Sequence, residues 1–182
     1  HYKTDKESSI VHNNLKDMKD VLTYSLQYQK GAWVLHMLRN YIGEDNFRKG
    51  IRNYYKKYYN STTTTNQFKT EMEVVSGMNL DTFFDQWLYK GGNMVLDGNW
   101  KFDEKKGRIE VNLNQVQNDG YLFEMPVELG ISYNDKNLEK IQTVKLEKEK
   151  GRFYIASDSK PISIKIDPNT KLLAIWDFNE IK

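Results

Sequence analysis

Apolar residues recur at helical spacing over the first ninety or so residues and then change rhythm. Ala32, Leu35, Leu38 and Ile42 share one face of a helix predicted from about Gln29 to Tyr41, which Gly43 stops. A second helix is predicted from about Glu44 to Tyr58, with Glu44 and Asp45 at its positive end and Phe47, Ile51, Tyr54, Tyr55 and Tyr58 inward. The Ser61 to Thr65 run interrupts the pattern. Thr65 is the expected N-cap of a third helix carrying Phe68, Met72 and Val75 inward and ending at Gly77. Asn79 starts a fourth, whose stripe of Leu80, Phe83, Phe84, Trp87 and Leu88 closes at Gly91.

Beyond Gly91-Gly92 the apolar positions alternate or come in short bursts bounded by Asn-Asp, Lys-Gly and Asp-Pro turns. Seven strands are expected, around 99–102, 108–117, 122–133, 138–147, 152–156, 162–166 and 172–176. Ile109, Val111 and Leu113 alternate with polar neighbours, as Val127, Leu129 and Ile131 do with Glu128 and Gly130, so each of these strands should wet one face. The predicted fold class is α+β, with helices in residues 1–92 and a small antiparallel β-sandwich in residues 93–182.

Composition narrows the function classes. With 27 basic and 25 acidic residues the net charge is +2, too weak a field to steer a polyanion or hold a membrane surface. The mixed aromatic and basic run from Tyr54 to Tyr59 could pass for a base-stacking platform, but its tyrosines fall on the apolar helix face, so no nucleic-acid partner is expected. No apolar run approaches the roughly 18 to 20 residues of a membrane span, so membrane insertion is not expected. The absence of cysteine suits an oxidising compartment as well as a cytosolic one; the compartment stays open, with an extracytoplasmic or secreted one favoured. Residues His1 to Ser9 lack a signal peptide's apolar core and the chain does not open on methionine, so it reads as a piece of something longer.

Candidate chemistry is sparse. The three histidines, His1, His12 and His36, do not pair on one helical face, and no His-Glu-x-x-His occurs, so no zinc site follows from local motif. His36, one turn into an apolar helix, is expected as a hydrogen-bonded packing residue. Glu71, Asp81 and Asp85 fall on helix surfaces by spacing and form no catalytic pair.

The informative string is Tyr28-Gln29-Lys30-Gly31-Ala32, followed by Val34-Leu35-His36-Met37-Leu38-Arg39 and Ile42-Gly43. It resembles the segment that carries the transition-state tyrosine of aminopeptidase N-type zinc metallopeptidases, the gluzincin family that includes the leukotriene hydrolase. The likeness continues through Phe83-Phe84-Asp85-Gln86-Trp87-Leu88 and Gly91-Gly92. It extends into Gln115-Val116-Gln117 and Phe123-Glu124-Met125-Pro126, which look like the family's Gln-x-Gln and Phe-x-x-Pro strands. In all it spans about Ile10 to Tyr133.

The resemblance implies that Tyr28 donates a hydrogen bond to the oxyanion formed when a peptide carbonyl is attacked. It further implies that Gly31 lets this helix approach the cleft and that Tyr24, one turn earlier, could line the same pocket. Zinc and its general-base glutamate would belong to the N-terminal half of the catalytic domain, upstream of His1. This chain alone would then bind no metal and be inactive, whereas its parent would remove N-terminal residues from peptides. Where relatives usually carry Gly-x-Pro, this chain has Gly92-Asn93-Met94, which puts the shape of the interdomain turn in question. The rival reading is a non-catalytic binding or scaffold module of helices and sandwich; a family member that kept the fold but lost zinc is a third.

Overall fold

The computed structural model describes residues 9–11, 24–118, 121–133 and 139–181. His1 and His12 lie outside these. The chain divides into two compact units, His1–Gly91 and Gly92–Lys182.

In the helical unit, π-helical turns over Tyr24–Lys30 run into α1 (Gly31–Ile42), followed by α2 (Glu44–Lys57), α3 (Thr65–Ser76) and α4 (Asp81–Phe84), which continues as a π-helical turn over Asp85–Tyr89. Gly43, at φ 88°, separates α1 from α2 in a backbone conformation that disfavours a side chain. Just past it, Glu44 binds Arg39 from α1 and Arg48 from α2. These two guanidiniums, Arg48 first, hold its carboxyl below the usual range. The N-cap of α3 is Thr64 rather than Thr65. Its hydroxyl accepts the Gln67 amide at 3.3 Å while the Gln67 side chain accepts the Thr64 amide at 2.8 Å, a reciprocal capping box that shifts the start by one residue. Gly77 ends α3 in the left-handed conformation. Asn79 accepts the Asp81 amide at 3.0 Å, so it supports the start of α4 although Leu80 is the boundary residue.

Burial corrects the predicted helix faces. On α1 the buried residues are Val34, Met37, Leu38 and Ile42, whereas Ala32 and Leu35 are exposed. On α2 only Gly50 is fully buried; Phe47, Tyr54 and Tyr58 are half-buried, and Ile51 and Tyr55 are exposed. The physical reason lies at Gly50. A Cβ there would stand 2.5 Å from Met72 Sδ and 3.2 Å from Val75 Cγ2, so α2 meets α3 through bare backbone and the large residues flanking the glycine are pushed to the rim. Glu71, expected on the helix surface, is buried instead, and Lys57 Nζ reaches its Oε1 at 2.6 Å. That bond holds the Lys57 ammonium above its usual range. An aromatic chain then ties the helices together: Tyr54 meets Phe68 edge-on at 5.2 Å, Phe68 approaches Phe84 at 6.2 Å, and Phe83 stacks on Tyr41 at 5.4 Å.

The second unit holds seven strands: β1 (Met94–Asp103), β2 (Arg108–Gln115), β3 (Met125–Ser132), β4 (Glu139–Leu146), β5 (Lys150–Ala156), β6 (Ser163–Ile166) and β7 (Ala174–Glu180). They form two sheets, ordered β5-β2-β1-β7 and β4-β3-β6. Every pair is antiparallel except β1 with β7, which run parallel, so the sandwich is mixed rather than purely antiparallel. β2 alternates along its whole length, with Ile109, Val111, Leu113 and Gln115 buried. β3 wets one face only in its first half, because β6 joins it from Leu129 onward and both Gly130 and Ser132 are buried. Pro126 lies before that pairing begins, where the missing N–H leaves no ladder position open.

Gln115 and Gln117 are joints of this unit. The Gln115 side chain donates to Phe123 O and accepts from Phe123 N, both at 2.9 Å, so it pairs with that residue as a strand backbone would. It also donates to Lys148 O at 3.2 Å, while Gln117 donates to Gln115 Oε1 at 2.9 Å and to Tyr121 O at 2.6 Å. On the other sheet Glu128 accepts from Lys171 Nζ at 2.6 Å and from Asn169 Nδ2 at 2.8 Å. Burial pushes the Glu128 carboxyl up, but these two donors outweigh it and hold the group below its ordinary value of 4.5.

Two outcomes are expected. Gly50→Ala gains about 1 kcal/mol of helix propensity but overpacks Met72, which is fully buried, at a cost of about 2 kcal/mol; urea unfolding should show a net loss of about 1 kcal/mol. In a Met72→Ala background the same substitution should stabilise, and a loss of equal size in both backgrounds would mean that the two side chains do not compete. Glu128 has a lowered folded value, so its contribution is present above the unfolded value and is lost as pH falls through the folded one. Glu128→Gln should therefore cost about 1 kcal/mol near neutral pH, discounted for the partly exposed Lys171, and nothing in strong acid. A cost independent of pH would remove the carboxylate's charge from the explanation.

Candidate functional site

An open, largely apolar cavity of about 580 Å³ lies within the helical unit. Tyr28, Gly31, Ala32, Leu35 and Leu38 form one wall from the π-helical turns and α1, and Tyr54, Thr63, Thr64, Thr65 and Phe68 form another. Phe84, Leu88, Ile10, Val11, Gln27 and Val34 line the rest. This location explains the failed helix face. Ala32 and Leu35 have the spacing of core residues, but what they line is open space.

Tyr28 stands at the rim with 61% of its surface exposed. Tyr24 is exposed as well and is not part of the lining; its ring stacks on that of Tyr28, with centroids 5.8 Å apart and planes at 29°. The Tyr28 side chain is thus packed on one ring face and exposed over most of its surface. Gly31 lines the cavity as well. A Cβ there would meet only Leu26 O at 3.8 Å, an ordinary contact, so among the described residues no neighbouring helix needs its missing side chain. Between α2 and α3 the close approach is made at Gly50.

The opposite wall held residues that the sequence pattern did not mark as site residues. Tyr54 donates from its hydroxyl to Thr63 Oγ1 at 2.5 Å, which pins the start of the Thr63 to Thr65 stretch against α2. A run of threonines carries no periodic signal, and only the capping role of one of them was legible. Lys30, next to Gly31, is buried despite its charge. His36 is exposed rather than buried, but it is hydrogen-bonded as expected: its Nε2 lies 3.2 Å from Asn40 Nδ2, and its ring meets that of Trp33 edge-on at 5.5 Å. Tyr55 and Tyr59 form an exposed pair, whereas Lys57 is turned to Glu71.

Among the described residues no three His, Asp or Glu side chains cluster so as to hold a metal ion. The residues in hand therefore do not fit a zinc centre. Among the described residues, too, no helix is long and apolar enough to cross a membrane.

The family follows from comparison with known proteins. Residues 2–87 match the model of the peptidase family M1 domain. Over this segment the chain is similar to the members of peptidase family M1. M1 members are metallopeptidases, and the curated relatives bear aminopeptidase names. Probable aminopeptidase 2 of Sulfurisphaera tokodaii is 31% identical over 142 residues, which are 78% of this chain and 17% of that protein. Aminopeptidase N of Streptomyces lividans is 35% identical over 85 residues, covering 46% of this chain and 10% of that protein. Legionella pneumophila aminopeptidase A, solved in complex with aspartic acid, superposes on 95% of this chain and 20% of its own length with a TM-score of 0.76 at 14% identity, a likeness of fold. The chain thus spans roughly a sixth of the length of the first of these relatives.

Proposed function

We propose that this chain is the C-terminal part of the catalytic domain, with the following β-sandwich, of a zinc-dependent aminopeptidase that removes N-terminal residues from peptides. In this reading Tyr28 is the oxyanion donor. The observation that carries it is the placement of an accessible phenol, steadied by Tyr24, at the mouth of an apolar cavity within the segment that matches the M1 family.

The chemistry assigned to this chain is limited to its own residues. As a peptide carbonyl turns tetrahedral, negative charge collects on its oxygen, and the Tyr28 hydroxyl donates a hydrogen bond that strengthens as the charge grows. A phenol suits this task because it is ordinarily protonated near neutral pH, with a reference value near 10. The apolar side chains of Ala32 and Leu35 on its own wall and of Phe68 on the other offer no acceptor that competes for that donor. Zinc supplies the activated water in such enzymes. Its ligands are not assembled by the described residues and are assigned to the N-terminal half of the catalytic domain, so this chain by itself is expected to be inactive and metal-free.

In the intact enzyme, Tyr28→Phe should leave zinc content and KM unchanged while kcat falls about a hundredfold to a thousandfold. Unchanged turnover would take Tyr28 out of the mechanism. Stoichiometric zinc bound by residues 1–182 alone would overturn the assignment of the ligands to the other half.

A further inference from the structure

A smaller cavity, of about 340 Å³, opens where α1 gives way to α2. Its lining is Arg39, Glu44, Phe47, Arg48, Ile51 and Arg52. Arg39 lies in the last turn of α1, and the other five, at positions i, i+3, i+4, i+7 and i+8, fall on one face of α2. Phe47 is half-buried and Ile51 is exposed, so an apolar side stands next to the charges.

The ion pairs at this joint account for only part of the arrangement. Arg39 and Arg48 each bond one oxygen of Glu44, and each does so through Nε. Their terminal nitrogens, and the whole guanidinium of Arg52 one turn beyond Arg48, have no acceptor among the described residues. Joining α1 to α2 uses Glu44 and its two partners. It has no use for Arg52, and like charges one helical turn apart repel. Three guanidiniums against one carboxylate leave an excess of positive charge around a cavity that offers unused N–H donors and an apolar side.

We propose that this cavity binds a phosphate monoester, whose phosphoryl oxygens accept from the free donors of Arg39, Arg48 and Arg52 and whose organic part rests on Phe47 and Ile51. Charge selects the class. A monoester carries about −1.5 to −2 at neutral pH on three acceptor oxygens and so balances the excess, whereas a carboxylate or a sulfate ester brings a single negative charge. Planar guanidinium forks suit a phosphoryl group, whose oxygens several of them can share. Phe47 and Ile51 favour an ester with an apolar or aromatic alcohol over inorganic phosphate.

The test titrates phenyl phosphate, phenyl sulfate and inorganic phosphate into the isotopically labelled chain and follows amide NMR shifts. At about pH 7.5 phenyl phosphate should shift residues 39–52 and bind at least about fivefold more tightly than phenyl sulfate, which has the same shape and one charge less. At about pH 5, where the phosphate has regained its second proton, that ratio should fall to about one. Both ligands meet the same protein at each pH, so the ratio reports the ligand's charge and not the protonation of His36 or Asp45, which neighbour Arg39 and Arg48 without lining the cavity. Inorganic phosphate should bind at least about threefold more weakly than phenyl phosphate, for want of a part that covers Phe47 and Ile51. An acetylated, amidated pentapeptide with a central phosphotyrosine separates two sources of such a group: affinity no higher than that of phenyl phosphate supports a free monoester, and tighter binding supports one carried by a polypeptide. Arg52→Gln leaves the Glu44 bonds in place and should weaken phenyl phosphate about fivefold. Glu44→Gln removes the competing acceptor and should strengthen it severalfold, while Asp45→Asn, an equal change of charge outside the lining, should do so by less than half as much; well-dispersed spectra will show each variant folded. Equal affinity for phenyl phosphate and phenyl sulfate near neutral pH, unchanged affinity in Arg52→Gln, shifts that map away from residues 39–52, or none at millimolar ligand would each overturn the proposal.

Discussion

The helical unit depends on the approach of α2 to α3 at Gly50. With no side chain there, Met72 and Val75 seat directly against the α2 backbone, and the apolar contact between the two helices is made over a short stretch rather than along a full stripe. That contact brings Lys57 over the buried Glu71 and Tyr54 against Phe68 and Thr63. It thereby fixes the second wall of the cavity whose first wall carries Tyr28. A Cβ at position 50 would press on the side chains of Met72 and Val75 of α3, the helix that also carries the capping box at Thr64 and the aromatic contacts of Phe68.

The β-unit is organised by side chains that stand in for backbone. Gln115 satisfies both backbone groups of Phe123 and so continues the pairing of β2 past the point where its strand ladder ends. Removing such a side chain would leave a buried donor and acceptor, each costing about 1 to 3 kcal/mol. The resemblance of Gln115-Val116-Gln117 and Phe123-Glu124-Met125-Pro126 to one family's strands thus has a physical content: the first motif is the clamp and the second begins with what it clamps. Gly98 has a related role, since a Cβ there would stand 2.7 Å from Asn112 O and 3.0 Å from Phe178, where β1 lies between an antiparallel and a parallel neighbour.

The two units reach order by different means. Helix ends are written locally, by Thr64 with Gln67, by Gly77 and by Asn79, and all of them lay within one residue of where propensity put them. The seven strands were legible from alternation and turn residues such as Gly107 and Asp167, whose carboxylate accepts the Lys171 and Leu172 amides, although β1 begins five residues before its expected start and β7 ends four residues past its expected end. Strand partners were not. That β7 joins β1 in parallel depends on which edge of β1 is left free once β2 has paired, a fact about the sheet rather than about either strand.

By itself the sequence determined the two kinds of secondary structure, the change from one to the other after the fourth helix, the caps, and the family motif around Tyr28, because each is set by residues a few positions apart. Tertiary structure alone decided which apolar residues are covered. Ala32 and Leu35 keep the spacing of a core face but border open space, Glu71 keeps the spacing of a surface residue but is buried under Lys57, and the close contact of α2 with α3 falls at Gly50, which no periodicity marks. Periodicity states only that residues lie on the same side of an element, whereas burial depends on what another element, distant in sequence, brings to that side.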